Sequence, residues 1–330
     1  MSREDDSQRF RPTTTPEMLR RRAGLLRCLR QFFDDREFIE VETPLLSRDT
    51  VVDRHIDPVS VDCLDPSGNR EVRWLQTSPE FAMKRLLAAG EQRIYQIARA
   101  FRSGERGALH NPEFTMLEWY RVGDRMKDGV DLLCDLIEHV TGRERPQRIS
   151  FAVAFQSFAG VDPHRDAVDV WREAAQRLSL VIPESLGDDV DDWIDLFMVE
   201  VVEPRLRELG QVVVYDYPAS QCALAQVRID SATGVRVAER FELYLDGVEV
   251  ANGYHELLDP VALASRNCAV NQQRAGDHKP PLPAESQLVA AMEAGLPPSV
   301  GVALGVDRLL MVLAGAANID QVIAFPWDRA

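Results

Sequence analysis

Two alternating segments joined by a polar loop constrain this chain more than any other feature. RIYQIARAFR (93–102) and EFTMLEWYR (113–121) flank a loop containing Gly104 and Gly107. Period-two alternation on both sides of a glycine-containing loop predicts a long antiparallel hairpin. In the first strand Gln96, Ala98, Ala100 and Arg102 share a face, and in the second Phe114, Met116, Glu118 and Tyr120 do. If both faces point the same way, a guanidinium lies across from a carboxylate and a phenol, above a floor of small side chains. An ordinary ion-paired sheet gives the same pattern, so the hairpin alone does not specify a function.

A second segment changes the balance. In GVALG (301–305), Gly301, Ala303 and Gly305 share one strand face that is almost bare of side chains. A purine ring could lie against such a backbone. The following helix, VDRLLMVLAG (306–315), places Arg308 in its first turn and ends at Gly315. A helix N-terminus favours anions, and an arginine there adds a bidentate phosphate donor. With the hairpin, a nucleotide triphosphate site becomes the better account.

The third segment, RFELYLDGVEVANGYHEL (240–257), predicts a hairpin turning at Asp246-Gly247. Glu249 and Glu256 differ in parity, so a regular strand would place them on opposite faces. A bulge at Asn252-Gly253 would bring them to one face, where they could hold Mg²⁺ on phosphates.

Around these segments, Pro16 to about Arg36 predicts an amphipathic helix and FIEVETPLL (38–46) a strand interrupted by Pro44. Ser78 and Pro79 predict a helix start, with Gly90 closing it. YDYPAS (215–220) predicts a strand and turn, and HKPPLP (278–283) a loop. Residues 1–15 are polar and expected to be disordered. The stretch 125–210 is acidic, mainly helical and without evident chemistry. The expected fold is α+β, a central antiparallel β-sheet flanked by helices, in one catalytic domain over 16–330 with a helical insertion at about 125–210.

Net charge is −15 and pI about 4.9, which argues against a surface built to grip nucleic acid. MSREDDSQRF lacks the apolar stretch of a signal peptide, and no apolar run approaches membrane length. The five cysteines are scattered and never spaced as CxxC, favouring reduced thiols in a cytoplasm and no zinc site.

The three segments resemble motifs 1, 2 and 3 of class II aminoacyl-tRNA synthetases, specifically the lysyl branch. VETP matches at motif 1, FR…HNPEFTMLEWY at motif 2 and GVALGVDR at motif 3, with TSPEFAMKRLL, AERFE and ANGYHEL as further matches. The resemblance covers about 16–330. Closest is a group of short paralogues, the elongation factor P–(R)-β-lysine ligases.

That resemblance implies ATP as co-substrate with Mg²⁺, and Arg102, Glu249 and Arg308 as catalytic residues. Arg102, Ser103, Gly104, Glu105, Asn111, Glu249, Val250, Gly305 and Arg308 would contact ATP. Ser78, Pro79, Glu80, Glu118, Tyr120, Asn252 and Glu256 would line a pocket for (R)-β-lysine or lysine, and Glu249 with Glu256 would hold the metal. Several carboxylates and a phenol suit a substrate with two ammonium groups. The acceptor would be a lysine of elongation factor P. The helix of motif 1 begins near residue 16, so no anticodon-binding domain or anticodon-type tRNA binding is expected, nor any membrane. A cytoplasmic homodimer is expected. A truncated synthetase charging tRNA and a non-catalytic regulatory paralogue are the alternatives.

Three departures from the family pattern stand out, one of them Ser78, where lysyl-tRNA synthetases typically have alanine. Motif 2 usually has Arg-x-Glu, whereas here Glu105 lies one position later, after Arg102-Ser103-Gly104. Ala303 stands where lysyl-tRNA synthetases typically have glycine. One methyl is worth ~1–3 kcal/mol of discrimination in a tight pocket, enough to favour β-lysine.

Overall fold

The computed structural model describes residues 10–330. Along the chain run α1 (Pro16–Asp34), β1 (Ile39–Glu40), β2 (Leu46–Ser47), β3 (Ser60–Leu64), β4 (Arg70–Leu75), α2 (Glu80–Ala88), β5 (Arg93–Phe101) and β6 (Glu113–Val122). Then come α3 (Met126–Thr141), β7 (Gln147–Ser150), α4 (Phe151–Phe158), α5 (Val168–Leu178), α6 (Val190–Phe197), α7 (Glu203–Leu209), β8 (Gln211–Pro218), β9 (Val227–Ile229), β10 (Arg236–Leu245) and β11 (Val248–His255). The chain closes with α8 (Pro260–Gly276), α9 (Gln287–Gly295), β12 (Ser299–Gly305) and α10 (Val306–Ala314). Two compact units result. The first comprises the residues through Gly123 with 258–299 and 303–330, and the second 124–257 with 300–302.

In the first unit β5 and β6 pair antiparallel along their whole length. Gln96 lies opposite Glu118, Ala98 opposite Met116 and Ala100 opposite Phe114. Both sets of even-numbered strand side chains therefore do share a face, but Arg102 falls past the end of β5 beside Pro112, so Gln96 and Ile94, not the guanidinium, stand across from Glu118 and Tyr120. The odd face is covered by α1, whose amphipathic pattern buries Leu25, Leu29, Phe32 and Phe33. Phe33 stacks on Tyr95 with centroids 4.8 Å apart and meets Trp119 at 5.2 Å. The even face is buried as well, with Ala98, Ala100, Met116, Glu118 and Tyr120 all among the buried residues. Thr15 caps α1 through Met18 N, with Pro16 at the first helical position.

FIEVETPLL does not form the single strand expected. β1 pairs parallel with β5, and β2 joins β4 and β3 in a separate three-stranded sheet. Val41 N still donates to Tyr95 O, but Pro44 has no N–H to extend the ladder, and the chain crosses to the second sheet. Residues 1–9 of the stretch expected to be disordered lie outside the described residues. Thr13 and Thr14 donate their hydroxyls to Asp320 O and Gln321 O at 2.8 and 2.6 Å.

In the second unit the strand order is β11-β10-β8-β7, with β9 also on β10. β10 is antiparallel to β11 and β8, while β7 and β8 run parallel. The sheets are thus mixed at their edges and antiparallel where strands are longest, and the class is α+β. Helices α3–α7 occupy the stretch between β6 and β8, interrupted only by β7. Their core includes Phe151, Phe155, Trp171, Trp193 and Phe197, packed with Val212, Val214 and Tyr244.

The β10–β11 turn falls at Asp246-Gly247, with φ of 51° and 79°, as a two-residue hairpin with positive φ at both positions requires. The bulge is elsewhere than expected. Asn252 and Gly253 pair regularly with Glu242 and Phe241, and the register slips at Val250, between Glu249 opposite Tyr244 and Ala251 opposite Leu243. Gly253 is instead demanded by packing: a Cβ there would lie 2.4 Å from the Phe241 ring.

No helix among the described residues is long and apolar enough to cross a membrane.

Candidate active site

In the first unit the loop between β5 and β6 is built around Arg102. Its backbone N donates to Pro112 O at 2.9 Å, closing the hairpin one step past β5. Its guanidinium lies 5.1 Å from the Phe114 ring centroid and 3.9 Å from the Glu105 carboxylate. Its Nε is buried with no hydrogen-bond partner. Ser103 N is held by Asp57 O at 2.7 Å, and Gly104 takes a φ of 78° that a side chain would strain.

Arg308 stands at the third position of α10, behind the Gly305 cap. The helix start is anchored by Asp307, whose carboxylate accepts from Thr115 N at 2.7 Å and from Arg22 at 2.5 Å. A buried carboxylate with two donors fixes this turn, and with it the arginine beside it. Arg308 Nε donates to Leu109 O at 3.3 Å, and its Nη2 lies 2.6 Å from His110 Nε2. A guanidinium has no acceptor, so His110 Nε2 accepts and the ring proton sits on Nδ1. Burial pushes the His110 pKa down, and the charges of Arg308 and Arg102 push it further. Both arginine charges therefore disfavour a charge on the His110 ring.

His110 was not picked out from the sequence as a site residue. It lies inside the HNPEF match, and only the fold shows that it meets Arg308. Asn111, expected to touch ATP, has both amide ends engaged. Nδ2 donates to Glu113 O at 2.7 Å and Oδ1 accepts from Trp327 N at 2.9 Å.

A second group in this unit surrounds Glu118, which is 1% exposed. Tyr120 donates to its Oε1 at 2.6 Å and Ser78 to its Oε2 at 2.7 Å. Ser78 Oγ also accepts from Glu80 N at 3.0 Å, so it caps α2 from one residue before Pro79, which occupies the cap position itself. Glu80 pairs with Lys84 one helical turn on. Burial raises the Glu118 pKa to about 7, with Glu80's charge adding to it; Tyr120, Ser78 and Lys84 oppose the rise. Lys84, 2% exposed, is the other residue the sequence reading missed. Its signal was the i, i+4 spacing from Glu80.

In the second unit the bulge at Val250 does bring Glu249, Asn252, Tyr254 and Glu256 to one face of β11. Glu256 is 1% exposed, and Asn252 Oδ1 is buried without a hydrogen-bond partner while its Nδ2 donates to Tyr254 at 3.0 Å. Opposite Asn252, Glu242 accepts from Tyr217 and Tyr244 at 2.6 and 2.7 Å and from Arg240 at 2.5 Å. Among the described residues no three His, Cys, Asp or Glu side chains group to hold a metal. The all-oxygen set of Glu249, Glu256 and the Asn252 amide suits Mg²⁺, which takes one or two carboxylates and fills its shell with phosphate and water oxygens.

Residues 6–329 match the sequence profile of the tRNA synthetases class II (D, K and N). The chain belongs to this family. A relative from Vibrio cholerae serotype O1, named Elongation factor P–(R)-beta-lysine ligase, is 42% identical over 97% of this chain and 98% of its own length. Proteins of the same name from Actinobacillus succinogenes and Edwardsiella ictaluri are 40% and 42% identical, each over 98% of this chain and 99% of its own length. Within the class II family, the β5–β6 hairpin and the β12–α10 corner correspond to the segments resembling motifs 2 and 3.

Proposed function

We propose that this protein uses ATP to activate (R)-β-lysine, or lysine, as an aminoacyl adenylate. It then transfers the acyl group to a lysine side chain of elongation factor P. The observation that carries the first step is the contact of Arg308 with His110 at 2.6 Å, on the same loop that carries Arg102, whose carboxylate partner among the described residues is Glu105 at 3.9 Å. The acceptor is carried by near-full-length similarity to ligases named for elongation factor P.

In this reading the substrate carboxylate, ionised at neutral pH, attacks the α-phosphorus of ATP, and pyrophosphate leaves. No general base is needed. Arg102 holds the carboxylate and α-phosphate, while Arg308 takes charge on the outgoing phosphates. Removing one preorganised donor of this kind costs ~10²–10³ in rate. Glu105, Gly305 and the loop backbone at Ser103 and Gly104 are assigned to the nucleotide. Glu118, Glu80, Ser78, Pro79 and Tyr120 are assigned to the amino acid's ammonium groups, with Asn252 and Glu256. Glu249 and Glu256 would hold Mg²⁺, which when bound neutralises phosphate charge. In the second step the acceptor amine attacks the activated carbonyl and AMP leaves, forming an amide.

The test pairs pyrophosphate exchange with α- and β-lysine and mass spectrometry of elongation factor P after incubation with enzyme, ATP and each isomer. The expected result is exchange with one isomer and a matching mass increase on one lysine. Exchange followed by charging of tRNA instead would overturn the acceptor, and no exchange would overturn the ligase.

A further inference from the structure

The loop between β5 and β6 is gripped by a segment more than two hundred positions along the chain. Arg106 donates to Asp328 through Nε at 3.1 Å and Nη2 at 2.7 Å, and to Asp320 through Nη2 at 2.8 Å. Ile319 N donates to Ala108 O at 2.8 Å, and Trp327 N donates to Asn111 Oδ1 at 2.9 Å. The loop therefore has three anchor points, at positions 106, 108 and 111, all supplied by 319–328. That segment is itself tied from behind, since Thr13 and Thr14 donate to the carbonyls of Asp320 and Gln321.

Elsewhere the loop is held by Asp57 O, which accepts from Ser103 N, and by Arg308, which meets Leu109 O and His110. Its internal bonds are the weak Gly107–His110 pair at 3.1 and 3.4 Å, and Gly104 and Gly107 add backbone freedom. Yet it must present His110 to Arg308 and keep Arg102 beside it. Arg106 is engaged by two aspartates and is not among the residues assigned to the nucleotide.

We propose that Arg106 is a positioning residue for the nucleotide site, and that segment 319–328 is the latch that sets the loop's shape through Asp320 and Asp328. This rests on the nucleotide reading of Arg102 and Arg308 given above. A planar guanidinium forked between two carboxylates fixes both the place and the orientation of the backbone that carries it.

Arg106→Gln is expected to weaken binding of a non-hydrolysable ATP analogue, and to raise the KM for ATP, by about three- to tenfold. The KM for the amino acid stays unchanged and kcat stays within about twofold. The double variant Asp320→Asn, Asp328→Asn reproduces this, and Arg106→Lys restores part of it. Hydrogen exchange at the amides of 107–110 speeds up in Arg106→Gln without speeding up in α10. Unchanged nucleotide affinity, unchanged loop exchange, or a rise in both KM values with a fall in Tm would overturn the latch. Should the unaltered protein show no ATP turnover, the functional reading fails, while analogue binding and loop exchange still judge the latch separately.

Discussion

Glu118 keeps its proton to about pH 7, well above the ordinary value near 4.5, because it is buried beside Glu80. The folded protein without substrate thus binds more protons than the unfolded chain between those values, and its stability falls as pH rises through that window. A substrate ammonium reverses the preference, since it favours the carboxylate. Binding of the amino acid should therefore release a proton, and its KM should fall as pH rises through about 7 and then level off. Glu118→Gln should flatten that profile; a profile with the same inflection in the variant would assign it to another group. Lys84 gives a second residue-scale expectation. It is the buried partner of Glu80, and Lys84→Met leaves that carboxylate uncompensated. Chemical denaturation should register a loss of ~3–5 kcal/mol. Glu118 and Glu80 were legible as candidates from one strand face and one family match. The cation beside them was not, because a lysine in a helix looks like surface until the fold buries it.

Elements differ in how openly their sequences speak. The β5–β6 hairpin was legible because both strands alternate cleanly, and one aromatic face fixes their register. FIEVETPLL alternates just as well, yet it divides between two sheets, and nothing local tells a strand that its partner changes. The second hairpin shows the same limit. Its Asp-Gly turn and the parity change were both legible, but Asn252-Gly253 attracted the bulge that in fact sits at Val250. The glycine serves Phe241 and Val302 instead, with a Cβ at that position lying 2.4 and 2.9 Å from them. Gly253→Ala should thus cost ~1–3 kcal/mol by overpacking, read from the urea midpoint with an unchanged m-value. A change within about 0.5 kcal/mol would mean that the ring yields freely.

At the scale of the whole molecule, a net charge of −15 and membership of a tRNA synthetase family pull in opposite directions. A protein acceptor resolves the tension, since it does not require a broad basic surface for phosphates. Ile39, Leu45 and Leu46 stand 55%, 41% and 37% exposed around β1 and β2, in the stretch resembling motif 1. Such a patch supports a homodimer, expected as twice the mass of 37.2 kDa in sedimentation at micromolar concentration. A single-chain mass there would leave these side chains without that explanation. The family was legible because three short motifs carry it. The site's assembly was not, because the motifs lie in segments whose meeting is decided by packing far from them.

The first unit is drawn from three stretches of chain, and the second lies almost wholly between the first two. During synthesis the hairpin bearing Arg102 leaves the ribosome long before Arg308 and the residues that latch its loop. The second unit, nearly continuous, can close while the first still waits for its later strand and helix. Arg102 and Arg308 can thus come together only once the last helix has been made, which delays completion of the first unit to the end of synthesis.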